Sequence, residues 1–481
     1  MTDDCTRFYI GGAWVAPRSA ARMAVENPAT ERAVARIALA NAADVDAAVA
    51  AARGAFAGWS ATPVADRVAV LDRILGLTRA RQIDLAAAIT AEMGAPTDMA
   101  LAEQAAVGVM HLEALLDALE GFEWTERLAN GDTILREPVG VCGLITPWNW
   151  PINQIVLKVL PALAAGCTCV LKPSELTPLS AAIYADILHD AGVPAGVFNL
   201  VNGTGAEAGA ALSQHPDVDM MSFTGSTRGG IAVTRDAADT VKRVTLELGG
   251  KSPNIVFADC GDDLAGRVEA SVAECFLNSG QSCDAPTRML VERPIYDTVC
   301  MLAARTAAQT VVGDPAVCGA RIGPLAGRAQ WDRVQSYIAG AMAQGARCIA
   351  GGSGKPDGLQ IGHYARPTIF ADVAPDMTIW REEVFGPVLS ITPFDTEDAA
   401  IALANDTPYG LAGYIQTGDR DRALRVAGRL RAGMVHVNGT PLAGGSPFGG
   451  YRMSGNGREG GRLGLEEFLE VKTLHLPDDW R

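Results

Sequence analysis

The sequence predicts an α/β protein built on two doubly wound parallel sheets, and three observations predict it. From residue 139 onward, short β-rich runs alternate with amphipathic helical patterns at intervals of roughly 25 to 30 residues, the mark of βαβ units. A second alternating stretch begins near Lys251. The 481 residues exceed what one compact core holds, so at least two domains are expected.

In chain order, residues 41 to 121 carry Ala-rich patterns such as "NAADVDAAVAAARGAFAGW", with apolar positions at i, i+3, i+4 and i+7 behind an Asn or Asp start signal. These read as packing helices with no catalytic role. Strands of the first sheet follow in "VGVCGLITPW", "TCVLKPS", "VFNLVNG" and "DMMSFTG", with helices "INQIVLKVLPALAAG" and "LSAAIYADILHDAG" between them. Parallel sheets bind ligands beyond the carboxyl ends of their strands. Function is therefore sought in "TPWNWP", "KPSE" and "FTGST". The second sheet takes "SPNIVFAD", "YARPTIFADV", "GPVLSITPF", "GYIQTGD" and "GMVHVNG", with Cys283 inside it after the helical stretch "LAGRVEASVAECFLNSG". The tail "GLEEFLEVKTLHL" alternates and reads as a strand added to another element or subunit. "GTGAEAG" at 203 to 209 reads as a turn.

Composition narrows the function classes. Hydrophobic residues make up 48% and charged residues 20%, the balance of an ordinary globular chain. The formal charge of −15, without any long basic run, argues against nucleic acid and acidic membrane surfaces as partners. The start "MTDDCTRFYIGGAW" is acidic where a secretion signal needs basic residues, so a cytoplasmic protein is expected. The most apolar region, Val139 to Val170, is broken by Pro147, Asn149, Pro151, Lys158 and Pro161 and cannot be a spanning helix. The ten cysteines form no CxxC pair, and Cys167 and Cys169 read as core packing. The six histidines are isolated, so no metal site is expected.

The candidate chemistry starts at Cys283 in "NSGQSCDAPTR". A thiol attacks only as its thiolate, so it needs exposure and either a setting that lowers its pKa or a base. The small neighbours Ser279, Gly280 and Ser282 would keep access open. Glu247, before two glycines in "VTLELGGKSPNIVF", sits where a base could act on water, or else is a solvated turn carboxylate. Asn149 stands in the rigid turn "ITPWNWPIN", where its amide could donate to a developing oxyanion or simply close an Asx turn. In "VLKPSE", Lys172 and Glu175 suit the hydroxyls of a ribose. "FTGSTRGG" gives Gly225 for close approach and opens a helix whose N–H groups could face a phosphate. The GxGxxG fingerprint of dinucleotide folds is absent.

Taken together and in order, PWNWP, KPSE, FTGSTRGG, LELGGKSPNIVF, GQSCDAPTR, EEVFGPV, PFGGYRMSGNGREGG and LEEFLEVKT closely resemble the NAD(P)-dependent aldehyde dehydrogenase superfamily, of the hydrolytic type, over nearly the whole chain. The resemblance implies that Cys283 attacks the aldehyde carbon and that Asn149, with the backbone N–H of Cys283, holds the oxyanion. It implies that Glu247 activates the water that hydrolyses the thioester. Lys172 and Glu175 would then hold the adenosine ribose, Ser226 the pyrophosphate, and Glu383 the nicotinamide ribose, with Gly225, Trp148 and Phe385 as further cofactor contacts. Glu459 resembles a second carboxylate that relays protons or is structural. A carboxylate at Glu175 repels a 2′ phosphate, so NAD is expected over NADP.

The resemblance also implies a fold of two Rossmann-like domains plus a small β oligomerisation element. The NAD-binding domain would take residues 1–119 and 139–249, the catalytic domain 250–453, and the oligomerisation element 120–138 and 465–481. "NGD" within "FEWTERLANGDTILREPVG" is a hairpin turn signal that fits the last of these. Such strands build dimers that often pair into tetramers, so a homo-oligomer is expected. Asp284, beside the thiol, departs from the pattern. Because its charge would raise the thiol pKa, it is expected to point away. Trp150, Gln154, Ser282, Asp284 and Phe448 are expected to line a pocket for a medium aliphatic or aromatic aldehyde. The rival readings are a CoA-acylating semialdehyde dehydrogenase, which lacks the hydrolytic glutamate, a thiol hydrolase without nicotinamide, and a non-catalytic descendant.

Overall fold

The computed structural model describes residues 4–477 and Trp480. Residues 1–3, 478, 479 and 481, the outer ends of the expected segments 1–119 and 465–481, lie outside the described residues.

Two large sheets organise the chain. The first has five parallel strands in the spatial order Arg243–Glu247, Met220–Thr224, Val141–Ile145, Thr168–Lys172, Phe198–Leu200. Antiparallel strands extend both edges: Gly455–Asn456 on one side, and Phe8–Ile10 with Ala13–Val15 on the other. Each central strand is buried along its length, as parallel strands covered on both faces must be. Alternate residues serve opposite layers. Cys142, Leu144, Cys169 and Leu171 pack with the helix Pro151–Ala165, while Val141, Ile145 and Val170 pack with the Ala-rich helix Ala42–Ser60. Small side chains on that second helix let it lie close to the sheet. A capping box starts it: Asp44 N–H donates to Asn41 Oδ1 (3.1 Å), and Asn41 N–H donates to the Asp44 carboxylate (3.2 Å).

The second sheet runs Arg347–Ala350, Thr368–Ala371, Val388–Phe394, Arg288–Glu292, Pro253–Val256, Ala412–Gln416, Met434–Val437. Only its first strand is antiparallel. The same alternation holds: Ile255, Leu290 and Val388 face one layer, and Val256, Met289 and Leu389 face the other.

Two smaller sheets complete the fold. Asp4–Cys5, Arg32–Ala38 and Arg22–Asn27 form one, a sheet with no counterpart among the strands expected from the sequence. In the other, "NGD" turns the hairpin Thr125–Arg127 to Thr133–Pro138 with Gly131 at φ 91°, and Leu469–Leu474 adds antiparallel as a third strand. The helical run Thr97–Leu119 is long and apolar enough to cross a membrane. Here Leu112, Leu115 and Leu119 are buried in the same core as the helix Pro151–Ala165.

Strand order positions the site. In the first sheet the chain crosses from Val141–Ile145 toward Phe198–Leu200, then returns to Met220–Thr224 on the other side of where it began. The loops after Val141–Ile145 and Met220–Thr224 therefore part at a topological switch point, where such sheets hold ligands. Those loops carry Trp148, Asn149, Gly225 and Ser226.

Candidate active site

The helix Leu264–Phe276 ends in a tight turn with three successive left-handed residues: Asn278 (φ 54°), Ser279 (φ 59°) and Gly280 (φ 72°). For non-glycine residues this costs about 1–2 kcal/mol each, so the surroundings must hold it. Asn278 Nδ2 donates to the Asn149 carbonyl (2.8 Å) and Ser279 Oγ to the Gly323 carbonyl (2.9 Å). Gln281 Nε2 donates to the Asn278 carbonyl (3.0 Å), and Ala326 N–H donates to Gln281 Oε1 (2.9 Å). Gly280 is backed against the Gly386 carbonyl with no space for a side chain. The expectation that Ser279 and Gly280 keep the thiol accessible is corrected: both are buried, and their small size serves close packing.

Cys283 follows, half-buried, in the wall of a cavity of about 630 Å³ that Trp150, Gln154, Ser282, Asp284 and Phe448 also line. Trp150 Nε1 donates to Ser282 Oγ (2.9 Å), fixing one wall. Asn149 is buried, and its Nδ2 donates to the Gln281 carbonyl (2.9 Å), which holds the amide against the cysteine loop. Protein mass around the Cys283 thiol, then the charges of Asp284, Glu383 and Glu247, push it well above its ordinary range. Asp284 is expected to point away, and its charge is the second cause, after burial, of the raised thiol pKa. It shares the cavity and opposes ionisation of its neighbour. Burial and these like charges favour the neutral thiol, so a base is needed to take its proton.

Glu247 ends the strand Arg243–Glu247 and is 4% exposed, with neither carboxylate oxygen hydrogen-bonded. It is no solvated turn residue. Burial first, then the charge of Glu459, raise its carboxyl well above the ordinary range. Glu459 is held by reciprocal backbone bonds with Phe448 (2.8 Å each) and pairs through Oε1 with Lys158, while its Oε2 is buried and unpartnered. Lys158 Nζ donates onward to Ser222 Oγ (3.2 Å). Glu459, Lys158 and Ser222 thus form a buried hydrogen-bonded line, and the Glu459 charge acts on Glu247 without a bond between them.

On the switch-point side, Lys172 is buried, with Nζ donating to the carbonyls of Pro173 and Gly203 (2.9 Å each) and 3.6 Å from Glu175. "GTGAEAG" is thus more than a turn: Gly203 anchors Lys172, and Gly205–Gly209 winds into the helix Ala210–Gln214. Ser226 caps the helix Thr227–Ala237, its Oγ accepting from Gly229 N–H (3.1 Å). Gly225 leaves room for the Phe223 ring, which a Cβ would approach to 2.6 Å. Glu383 Oε1 accepts from Gly250 N–H (3.2 Å), and burial lifts its carboxyl to about 7. Phe385 meets Trp148 edge to face at 5.3 Å. A dinucleotide fits these groups: a capped helix start for phosphate, a lysine and half-exposed carboxylate for ribose, and a second carboxylate near the thiol.

Two contributors, Gln104 and Lys158, are not assigned from the sequence, whereas Arg288 is expected from its place five residues past the thiol to anchor the loop and does so. Gln104, on a wide π-type turn (Ala100–Ala105) inside the Ala-rich region, donates through Nε2 to Asn278 Oδ1 (3.0 Å) and to the Asn149 carbonyl (3.3 Å), joining the two loops. Nothing in its sequence context marks it. Lys158 could have been found as the one charge inside an apolar helix. Arg288 is fully buried, donating to the carbonyls of Lys251 (2.8 Å), Leu403 (3.0 Å) and Ala404 (2.8 Å), and so ties down the strand after the thiol.

Comparison with known proteins agrees with this geometry. Residues 14–474 match the model of the aldehyde dehydrogenase family. The chain is 51% identical over 472 residues to 3-succinoylsemialdehyde-pyridine dehydrogenase from a Pseudomonas species, covering 98% of each. Aldehyde dehydrogenase C from Pseudomonas syringae, solved as a variant with NAD+ and octanal, is 51% identical with a TM-score of 0.96, covering 98% of this chain and 96% of that one. A Mycobacterium tuberculosis aldehyde dehydrogenase solved with NAD+ is 41% identical, also at a TM-score of 0.96, covering 99% of each. A thiol, an amide and an unpartnered carboxylate converge between two doubly wound sheets, and the chain that brings them together belongs to the aldehyde dehydrogenase family.

Proposed function

We propose that Cys283, Asn149 and Glu247 carry out the NAD-dependent oxidation of an aldehyde to its carboxylic acid. The observation that carries this reading is a cavity-lining thiol whose proton affinity is raised by burial and by the charge of a buried carboxylate, neither of whose oxygens has a partner. Burial raises the proton affinity of Glu247, which makes it a stronger base toward the thiol than an exposed carboxylate. Sulfur then bonds to the aldehyde carbon, and Asn149 Nδ2 with the Cys283 N–H receives the oxygen of the thiohemiacetal. Bound NAD supplies the hydride acceptor, as suits the NAD+ complexes of the related structures. Glu247 first releases the thiol's proton toward solvent by way of Glu459; it then takes a proton from the water that attacks the thioester, and that proton returns to the Cys283 sulfur as the acid leaves. Retention of Glu247 favours water over CoA as the acyl acceptor.

Lys172 and Glu175 hold the adenosine ribose, Gly225 and Ser226 admit the pyrophosphate, Glu383 takes the nicotinamide ribose, and Trp148 with Phe385 borders the ring. The NAD-binding domain takes 1–119 and 139–249, the catalytic domain 250–453. The three-stranded sheet of 120–138 and the chain's end, with Val471 exposed on its last strand, serves assembly into a homo-oligomer, and the enzyme works in the cytoplasm. Peptide mapping of a quenched turnover mixture tests the reading: the acyl mass is expected on Cys283, and acylation of another residue, or of none, contradicts it.

A further inference from the structure

The cavity that holds Cys283 is not uniform. One wall is apolar, from Val107, Met110, Leu442 and Phe448, with room for a hydrocarbon spacer. The rest carries three carboxylates, Glu103, Glu274 and Asp284. Glu103 and Glu274 are exposed along the cavity wall, whereas Asp284 is half-buried beside the thiol. They act on one another: protein mass around the Glu274 carboxyl, then the charges of Asp284 and Glu103, lift it to about 7. The permanent cation lining the cavity, Arg267, is already engaged, with Nη1 donating to the Thr417 carbonyl (2.6 Å) and Nη2 to Asp263 (3.2 Å). Its charge is thus partly balanced by Asp263.

Among the described residues, three groups lining the cavity carry a buried polar atom without a partner: Gln154 Oε1, His436 Nε2 and Asn254 Nδ2. His436 Nδ1 lies 3.0 Å from the Thr440 carbonyl, which can only accept. The neutral ring therefore carries its hydrogen on Nδ1, and Nε2, buried and unpartnered, presents a bare lone pair. Its ring stacks on Tyr414 at 4.7 Å, and Tyr414 in turn donates to the Asp284 carbonyl (3.1 Å), so this acceptor is fixed beside the acidic residues. Asn254 is fully buried, and its Nδ2 has no partner. With Gln416, whose Nε2 donates to Asn254 Oδ1 (3.3 Å), it forms an amide pair that can present either polarity to a ligand. Buried polar groups without a protein partner are few, and those gathered on one cavity wall are free to bind a ligand or water that enters it.

We propose that this cavity selects aldehydes whose far end is a protonated nitrogen: a hydrocarbon spacer along the apolar wall, with an N–H cation among Asp284, Glu274 and His436 Nε2. This rests on the reading that the aldehyde reacts at Cys283. An alkylammonium group, with a pKa of about 10, is charged at neutral pH. The carboxylates attract it and repel semialdehydes that end in a carboxylate.

The test compares kcat/KM for 3-aminopropanal against butanal, 6-aminohexanal against heptanal, and succinate semialdehyde as the anion, in the parent enzyme and in Glu274→Gln, at low and high salt. At least one aminoaldehyde is expected to exceed its neutral partner by about tenfold, with succinate semialdehyde slowest. The cation-to-neutral ratio should fall about fivefold in Glu274→Gln and shrink with salt. Neutral or anionic aldehydes turned over as well as the aminoaldehydes would overturn the selectivity while leaving the oxidation intact. A ratio unmoved by Glu274→Gln and by salt would overturn it too. Absence of turnover on every aldehyde would overturn the reaction itself, and this inference with it.

Discussion

Replacing Glu247 by glutamine changes little except the capacity to accept a proton. Neither carboxylate oxygen is hydrogen-bonded, so the amide breaks no bond, and the volume is unchanged. Positioned general bases contribute about 10²–10⁴ in rate, equivalent to about 3–5 kcal/mol of barrier. Charge removal does not harm the fold, because Glu247 is buried beside the like charge of Glu459. The assay acylates Cys283 with aldehyde and NAD, removes small molecules, and follows loss of the acyl mass over time. In Glu247→Gln the acyl-enzyme half-life should lengthen about 10²–10⁴-fold, with an unfolding midpoint at pH 8 no lower than that of the parent. An unchanged half-life would refute the assignment of Glu247 as the base for hydrolysis, whatever happens to overall turnover.

Glu175→Gln should raise kcat/KM with NADP relative to NAD by about tenfold, since it removes the carboxylate 3.6 Å from Lys172 that meets a 2′ phosphate; NADH and NADPH formation measured in parallel decides it. Gln104→Leu should leave Asn278 Oδ1 without its donor at a cost of about 1–3 kcal/mol to the left-handed turn, lowering kcat about tenfold or more. The KM for NAD should hold and the alkylation rate of Cys283 should change, a split that simple loss of stability does not produce. Glu92, fully buried, accepts from Leu179 N–H (2.6 Å) and Ser180 N–H (3.0 Å), and burial lifts its carboxyl from 4.5 to about 7. The native state then binds more protons than the unfolded one between those values, so stability falls as pH rises through that window, by about 3 kcal/mol in all. Denaturant titrations should show Glu92→Gln gaining on the parent from pH 4.5 to pH 8, and a constant difference would refute the assignment.

The sequence carries the two sheets because their strands are buried on both faces and read as apolar runs separated by helices, as in "TCVLKPS" and "SPNIVFAD". Cys283, Asn149 and Glu247 stand out because each is a reactive or polar residue at an element's end among prolines or glycines. What stayed hidden depends on contacts distant in the chain. Gln104 meets Asn278 across 174 positions, and Lys158 meets Glu459 across 301, so no local pattern announces either. Ser279 and Gly280 illustrate the same limit: small residues near a thiol read as openness, and only the Gly323 and Gly386 carbonyls pressed against them reveal packing.

The most direct test is NADH formation from a panel of aldehydes by the parent enzyme and by Cys283→Ala, with CoA added or withheld. Turnover that needs no CoA and disappears in Cys283→Ala is the predicted result. Turnover that requires CoA, or that survives the loss of Cys283, would contradict it.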